Sequence, residues 1–479
     1  MKPLHFFSVA LAAGLLIASC EGENVTQLSV DAGETKQTVQ GFGSSINGWT
    51  APMIPLFYDE TFADYAANEL GMSVFRLQIW GEISPDPIDD WKDISYENFK
   101  WKGTGMRGKV NVDWAKAMVE ANPEVRIIGS VWSPPHWMKE NDSHKGTAGG
   151  FLLSEKRDYD DDNRLRDSHY QHFAKWVVEW CRYMESQGTP FYAISLQNEL
   201  LFTQWYESAM YSAEEYAKVV RITGEMFESE GVRKPLFFGP EDMTMANYSD
   251  EVRHKPFVDA LMSPDVAKYF DAFATHGYTD GIRSDNRQST VAYWNSIKQF
   301  GLPYWVTEGG SGKHEWPAPI TSGIAPRLHV ALEHSNVSLF CGWQLAGGEG
   351  GQGSEHDFMA HRNATKKTYA TMHFWKHIRP GAKRVTTERF EGANDSILAS
   401  SYIDEQRGEL VTVIINQSDN DQPVSLSYKN SEYAESWTAY QTSETLDHEA
   451  INFSQLAGSE ISFTVPGMSI TTLIGTAGR

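Results

Sequence analysis

The sequence predicts an α/β fold: a (β/α)8 TIM barrel followed by a small C-terminal all-β sandwich. Two patterns predict it. From about Val39 to Pro380, short apolar, β-branched runs alternate with amphipathic stretches, the grammar of parallel β/α units. Beyond Pro380 the helical stretches stop, and short alternating runs between Asp, Asn, Gly and Ser turns take over. A third observation selects a barrel over a doubly wound open sheet: the chemically suggestive residues fall just after strands all along the chain, and the C-terminal face of a barrel gathers such residues into one site.

The N-terminus reads as an export segment, residues 1–19. Lys2 supplies a positive start and Phe6 to Ile17 an apolar core, with Ile17-Ala18-Ser19-Cys20 after it. The apolar run is well short of the ~20 residues that span a bilayer. Residues 25–38 begin strand-like at Val25–Ser29 and are expected to join the sandwich. Residues 39–380 form the barrel, whose strands are expected at Val39–Ile46, Ser73–Ile79, Arg126–Val131, Phe191–Leu196, Pro235–Phe238, Asp271–Thr275, Pro303–Thr307 and Val337–Trp343. Helices are expected at Asp59–Leu70, Val112–Ala121, Asp167–Ser186, Ser212–Glu230, Ser289–Phe300 and Ala325–His334, several of them stopped by glycine. Residues 381–479 form the sandwich, with strands at Ser396–Ile403, Leu410–Ile415, Pro423–Tyr428, Ser436–Gln441, Ile461–Val465 and Ser469–Ile474. No low-complexity linker separates the domains, which are therefore expected to pack rigidly.

The 479 residues carry 63 acidic against 41 basic side chains, a net charge of −22. That balance argues against nucleic acid or anionic lipid as a partner and points to an uncharged substrate. Aromatic residues make up 13% of the chain, as suits a well-cored enzyme. Cys181 and Cys341 read as buried hydrophobes, with a disulfide between them left open, and no ligand spacing indicates a metal or a cofactor.

Two glutamates carry the chemistry. Glu199 ends the run Tyr192-Ala193-Ile194-Ser195-Leu196-Gln197-Asn198, and Glu308 ends Tyr304-Trp305-Val306-Thr307. They stand 109 positions apart, about 36 per unit over three β/α units. Two carboxyl groups facing each other at strand mouths are the minimum equipment for hydrolysing a glycosidic bond.

The motifs at the strand ends resemble glycoside hydrolase family 30. They are Gln40-Gly41-Phe42-Gly43-Ser44-Ser45, Val74-Phe75-Arg76-Leu77, Trp132-Ser133-Pro134-Pro135-His136-Trp137-Met138-Lys139, Gln197-Asn198-Glu199, Gly239-Pro240-Glu241, Thr275-His276-Gly277-Tyr278 and Thr307-Glu308. The junction Phe374–Gly381 and the final Pro466–Leu473 resemble it too. The resemblance implies a retaining β-glycanase in which Glu199 is the acid/base, with its pKa raised by burial and by Glu308, and Glu308 is the nucleophile. It also implies that Arg76 and Tyr278 support Glu308, that Asn198 holds a sugar 2-hydroxyl, and that His276 orients the cluster or touches sugar. Similarly, Cys20 resembles the lipidated cysteine of a bacterial lipobox, which places the protein in the cell envelope, periplasmic or on the outer-membrane surface, with membrane contact only through that anchor. A plain signal peptide cut near Ser19 is the alternative.

Seven tryptophans fall near strand ends: Trp49, Trp80, Trp132, Trp137, Trp205, Trp316 and Trp343. Sugars present flat C–H faces to such rings, and Trp132 and Trp343 are the favoured platforms. Glu241, Gln344, Glu349 and Glu355 are candidate specificity residues. Two departures from the family stand out. Leu200 replaces a proline, and the stretch Gln344–Gly351 lacks the arginine with which glucuronoxylan-specific members hold a glucuronate. The expected substrate is a neutral polysaccharide or its oligomers, xylan ahead of β-1,6-glucan, cleaved by a monomer. A non-catalytic surface glycan-binding lipoprotein is the alternative of another class.

Overall fold

The computed structural model describes residues 25–46, 54–101, 106–146, 162–242, 255–278, 287–347, 353–390, 392–452 and 458–477. The export segment with Cys20, and Trp49 and Glu349, lie outside the described residues.

Eight parallel strands close the barrel in chain order: β2 (Gly41–Ser44), β3 (Val74–Trp80), β4 (Arg126–Ser133), β5 (Phe191–Ser195), β6 (Leu236–Asp242), β7 (Ala272–His276), β8 (Tyr304–Glu308) and β9 (Val337–Gly342). Residue parity sorts their side chains. Val74, Ile128, Ala193, Phe238, Ala272, Ala274, Trp305, Leu339 and Cys341 form a core of their own inside the barrel. Their neighbours Phe75, Leu77, Ile79, Ile127, Ile194, Phe273 and Val306 pack outward against the helices. Buried on both faces, the strands read as near-continuous apolar runs, which is what made them visible in the sequence. Gly43 is required by close approach: a Cβ there would meet the Val74 carbonyl oxygen at 1.7 Å.

The outer helices include Met106–Ala121, Tyr170–Ser186, Ala213–Glu230 and Arg287–Ile297. Ala213–Glu230 shows why its ends fall where they do. Ser212 and Glu215 make a reciprocal capping box, and Gly231 takes a left-handed φ of 62° at the far end. Two helices, Lys255–Leu261 and Lys366–Trp375, were not anticipated. In the second, Lys367, Thr368, Thr371 and His373 are buried, so its hydrophobic stripe is interrupted by polar residues.

The remaining domain is one nine-stranded sheet. Its strands are β1 (Thr26–Thr38), β12 (Lys383–Arg389), β13 (Ile397–Asp404), β14 (Glu409–Asn416), β15 (Gln422–Lys429), β16 (Ser436–Thr442), β17 (Glu449–Ile451), β18 (Glu460–Val465) and β19 (Ser469–Thr476), ordered β17-β16-β19-β14-β13-β12-β1-β15-β18. A two-stranded pair, β10 (Ala346–Gly347) with β11 (Met359–Ala360), lies in the loop after β9. The large sheet folds over on itself: Tyr428 of β15 and Trp437 of β16, far apart in strand order, place their ring centroids 4.6 Å apart. β1 runs antiparallel to β12 and parallel to β15.

β14 explains how the domains join. Leu410 and Ile414 face the sandwich interior, whereas Val411, Val413 and Ile415 belong to the apolar cluster that includes the barrel helices. Polar contacts fix the docking. His373 bonds Thr472 at 2.8 Å and Thr442 at 2.9 Å, Arg384 pairs with Glu333 at 2.8 Å, and Gln417 donates to the Ile320 carbonyl at 2.7 Å. Cys181 and Cys341 are both buried and free, Cys181 in the helical shell and Cys341 inside the barrel.

Candidate active site

The site forms where three strands lose register at their C-terminal ends. β7 and β8 pair Thr275 with Val306 and then His276 with Glu308, so Thr307 is the extra residue. Between β6 and β7 the register skips Glu241, and between β3 and β4 it skips Trp132. Such a bulge re-aims the side chain that follows. Simple alternation from inward-facing Trp305 would turn Glu308 toward the helices; the extra residue turns it into the barrel mouth. Glu199 and Glu241 also carry positive φ values, 45° and 42°, uncommon for a glutamate.

Arg76 follows the inward-facing Val74 by two residues and is fully buried. Its guanidinium donates to four side chains: Glu308 Oε1 at 2.6 Å, Asn198 Oδ1 at 2.8 Å, Ser130 Oγ at 3.1 Å, and Glu241 Oε1. Tyr278 donates to the other oxygen of Glu308 at 2.8 Å. His276 Nδ1 lies 2.9 Å from Glu199 Oε1 and 3.6 Å from Glu308 Oε2. Carboxyl oxygens of Glu199 and Glu308 and a ring nitrogen of His276 all lie within 4.8 Å of one another.

Charge distinguishes the carboxyls. Burial pushes Glu199 above the ordinary carboxyl pKa, and Glu308 adds to that, while His276 pulls the other way. Burial would also raise Glu241, but Arg76 and His276 outweigh it and hold that carboxyl below its usual range. For His276, burial opposes the charge; Glu308, Glu199 and Glu241 overcome it and raise the imidazole to about 10. The cluster thus sets two cations, Arg76 and protonated His276, against the three carboxyl groups of Glu199, Glu241 and Glu308. Glu199, His276 and Glu308 have the donor types to hold a metal ion. Arg76 and His276 already supply the positive charge a metal would bring.

The structure thus brings together Glu199, Glu308, Arg76, Asn198, His276 and Tyr278. Trp343 stacks on Trp132 with centroids 5.7 Å apart, and the Arg76 guanidinium lies 4.8 Å from the Trp132 ring centroid. Trp132 is only 2% exposed, so it backs the site from beneath while Trp343 offers the more open ring. Glu241 is no specificity residue on a lip. It is wholly buried as the counter-charge of Arg76, a role its Gly-Pro-Glu motif marked by position without revealing. Gln344 is half-buried and Glu355 exposed. Sequence reasoning missed Ser130, and also Glu82 and Glu207, a second carboxyl pair. Burial and the neighbouring Glu207 raise Glu82 to about 7.

Barrel, sandwich and facing glutamates define a glycoside hydrolase. Within that class the chain is similar to glycoside hydrolase family 30: residues 381–473 match the glycosyl hydrolase family 30 beta sandwich domain. It is 22% identical to glucuronoxylanase XynC of Bacillus subtilis over 95% of this chain and 94% of that one. To an endo-1,6-beta-D-glucanase of Neurospora crassa it is 22% identical over 60% and 58% of the two chains. In structure it superposes on a family 30 subfamily 8 xylanase, Xyn30A, of Clostridium acetobutylicum with a TM-score of 0.72, at 21% identity, covering 95% of this chain and 100% of the other.

Proposed function

We propose that the protein is an exported, retaining β-glycanase that cleaves a neutral polysaccharide by double displacement. Glu308 attacks the anomeric carbon while Glu199 gives its proton to the departing glycosidic oxygen, leaving a glycosyl ester on Glu308. Glu199, now a carboxylate, takes a proton from water; the water attacks the anomeric carbon, and Glu308 is released. Asn198, held by Arg76, faces the sugar 2-hydroxyl. The observation that carries this reading is that a carboxyl oxygen of Glu199 and one of Glu308 lie within 4.8 Å of each other. Retaining enzymes set their carboxyl groups ~5–5.5 Å apart, whereas inverting enzymes need ~6.5–9.5 Å to admit water between them. The asymmetry supports it as well: Glu199 is raised by burial, as an acid requires, and Glu308 receives two hydrogen bonds that favour an anion.

For the substrate, β-1,4-xylan is favoured over β-1,6-glucan, on the likeness of the whole chain to a glucuronoxylanase. No basic residue occurs from Gln344 to Gly353, so the enzyme is expected to ignore glucuronate branches. Export with lipidation at Cys20 is part of the proposal; among the described residues no helix is long and apolar enough to cross a membrane.

The test is the anomeric configuration of the first-formed product, followed by NMR on whichever of xylan, debranched xylan, β-1,6-glucan or an aryl β-glycoside is cleaved. A β product is expected, with equal rates on branched and debranched xylan. A first-formed α product would refute retention, and a large loss on debranching would refute the neutral-substrate reading. Intact mass of the envelope-extracted protein, with and without Cys20→Ala, tests the lipid.

A further inference from the structure

Trp205 stands out among the described residues. It is 69% exposed, the most exposed large hydrophobic side chain and the one tryptophan in that group. A bare indole on a floppy loop would mean little, but this loop is fixed on both sides of it. Leu201 donates its amide to Asp242 at 2.9 Å, Gly146 donates to the Gln204 carbonyl at 2.7 Å, and the Gln204 amide donates to Ser208 Oγ at 3.0 Å. Asn163 donates to both Thr203 and Ser208. Thr203, Gln204, Glu207 and Ser208 are buried, so the chain dives inward on either side and presents Trp205 outward.

The loop is the one that leaves β5 directly after Glu199. Trp205 packs edge to face on Tyr206, with centroids 5.5 Å apart and planes at 79°. Burial raises the Tyr206 phenol far above its ordinary range, and the charges of Glu199 and then Glu308 raise it further, which places Tyr206 within their field. Trp205 and Tyr206 stand six and seven residues past Glu199, on the loop that leaves the barrel mouth beside the residue that protonates the leaving group. The sugar departing from Glu199 must lie on that side, because the acid can reach only the oxygen that departs with it.

We propose that Trp205 is a stacking platform for sugar units on the leaving-group side of the cleft, which makes the enzyme an endo-acting glycanase for extended neutral chains. The proposal rests on the glycanase reading above. Leu200, which replaces the family's proline at the root of this loop, is wholly buried and bonded through its carbonyl to the Tyr211 amide at 3.1 Å, closing the loop that displays Trp205.

The experiment compares the full mature chain with Trp205→Ala and Trp205→Phe. The substrates are a six-sugar oligomer of whichever polysaccharide is cleaved and the matching one-sugar aryl β-glycoside. In Trp205→Ala, kcat/KM on the oligomer is expected to fall about tenfold (~1.4 kcal/mol) relative to the aryl glycoside, mainly through KM. Trp205→Phe should recover most of it. An unchanged ratio, or an equal loss on both substrates, overturns the proposal while the glycanase reading stands. A wild type that cleaves no glycoside overturns both.

Discussion

Replacing Arg76 with methionine gives the most quantitative test of the site. The side chain is fully buried and binds two carboxylates, an amide and a hydroxyl. Methionine fills much of the volume but leaves Glu241 and Glu308 without their cation. Removing one partner of a buried ion pair costs roughly 3–5 kcal/mol. With an unfolding entropy of about 2.1 cal/mol/K per residue, a chain of this length has ~1 kcal/mol/K, so the melting temperature should drop by about 3–5 °C at pH 7. The pH dependence gives a second readout. Arg76 holds the folded-state pKa of Glu241 below its unfolded value, so this stabilisation is present above about pH 4.5 and lost as pH falls through the folded-state pKa. The difference between wild type and Arg76→Met should therefore hold from pH 7 to about pH 5 and be smaller at pH 3 than at pH 7, and kcat should fall by about 10²–10³ because Glu308 and Asn198 lose their positioning. Thermal melts at the two pH values read it directly. A variant that melts within one degree of wild type at pH 7 would show that the charges compensate without Arg76.

Glu308→Ala should lose at least about 10⁴-fold in kcat, and azide should restore turnover of an activated aryl β-glycoside with an α-configured azide product; a β product would make Glu308 the acid instead. His276→Gln removes a charge that lowers the Glu199 pKa, so the basic limb of kcat/KM should move to higher pH, and a limb that stays in place or moves down would contradict the assignment. In stability the sign is opposite to that of a carboxylate: the imidazole is raised from 6.5 to about 10, so its contribution is full below ~6.5 and fades through 10. The His276→Gln deficit should accordingly be smaller at pH 10 than at pH 6. Truncation after Pro380 orphans β1 and uncovers the barrel-side apolar contacts of β13 and β14, so it should give insoluble or strongly destabilised protein; a soluble barrel with an unchanged melting temperature would overturn this.

The barrel was legible because each strand is an apolar run buried on both faces, and the site because its residues end those runs. What escaped had physical causes. β12 is polar and half-exposed, so neither alternation nor a hydrophobic run betrays it. The helix Lys366–Trp375 hides because buried Lys367 satisfies itself on Ser311 and on the Asp357 carbonyl, and no stripe records that. The inward aim of Glu308 depends on a one-residue bulge that a period of two does not encode. Among the tryptophans, sequence position marked proximity to strand ends but not exposure: Trp132, at the end of β4, is covered, and Trp205, in the loop after β5, is bare.

β1 has a consequence for how the molecule is made. It lies in the interior of the nine-stranded sheet, yet its neighbours are drawn from Lys383–Arg389 and Gln422–Lys429. The first of the described strands therefore waits for partners more than 340 residues downstream. At about 5–20 residues per second, the roughly 350 residues that precede β12 take about 18–70 s to emerge, and throughout that time β1 offers both edges unpaired. The barrel's own strands meet neighbours a few dozen residues away, except β2, whose closing partner β9 follows about 300 residues on. The two domains thus mature on different clocks, and the late closure of the sheet around β1 is the step at which a nascent chain of this protein is most open to binding a chaperone or to pairing with the wrong edge.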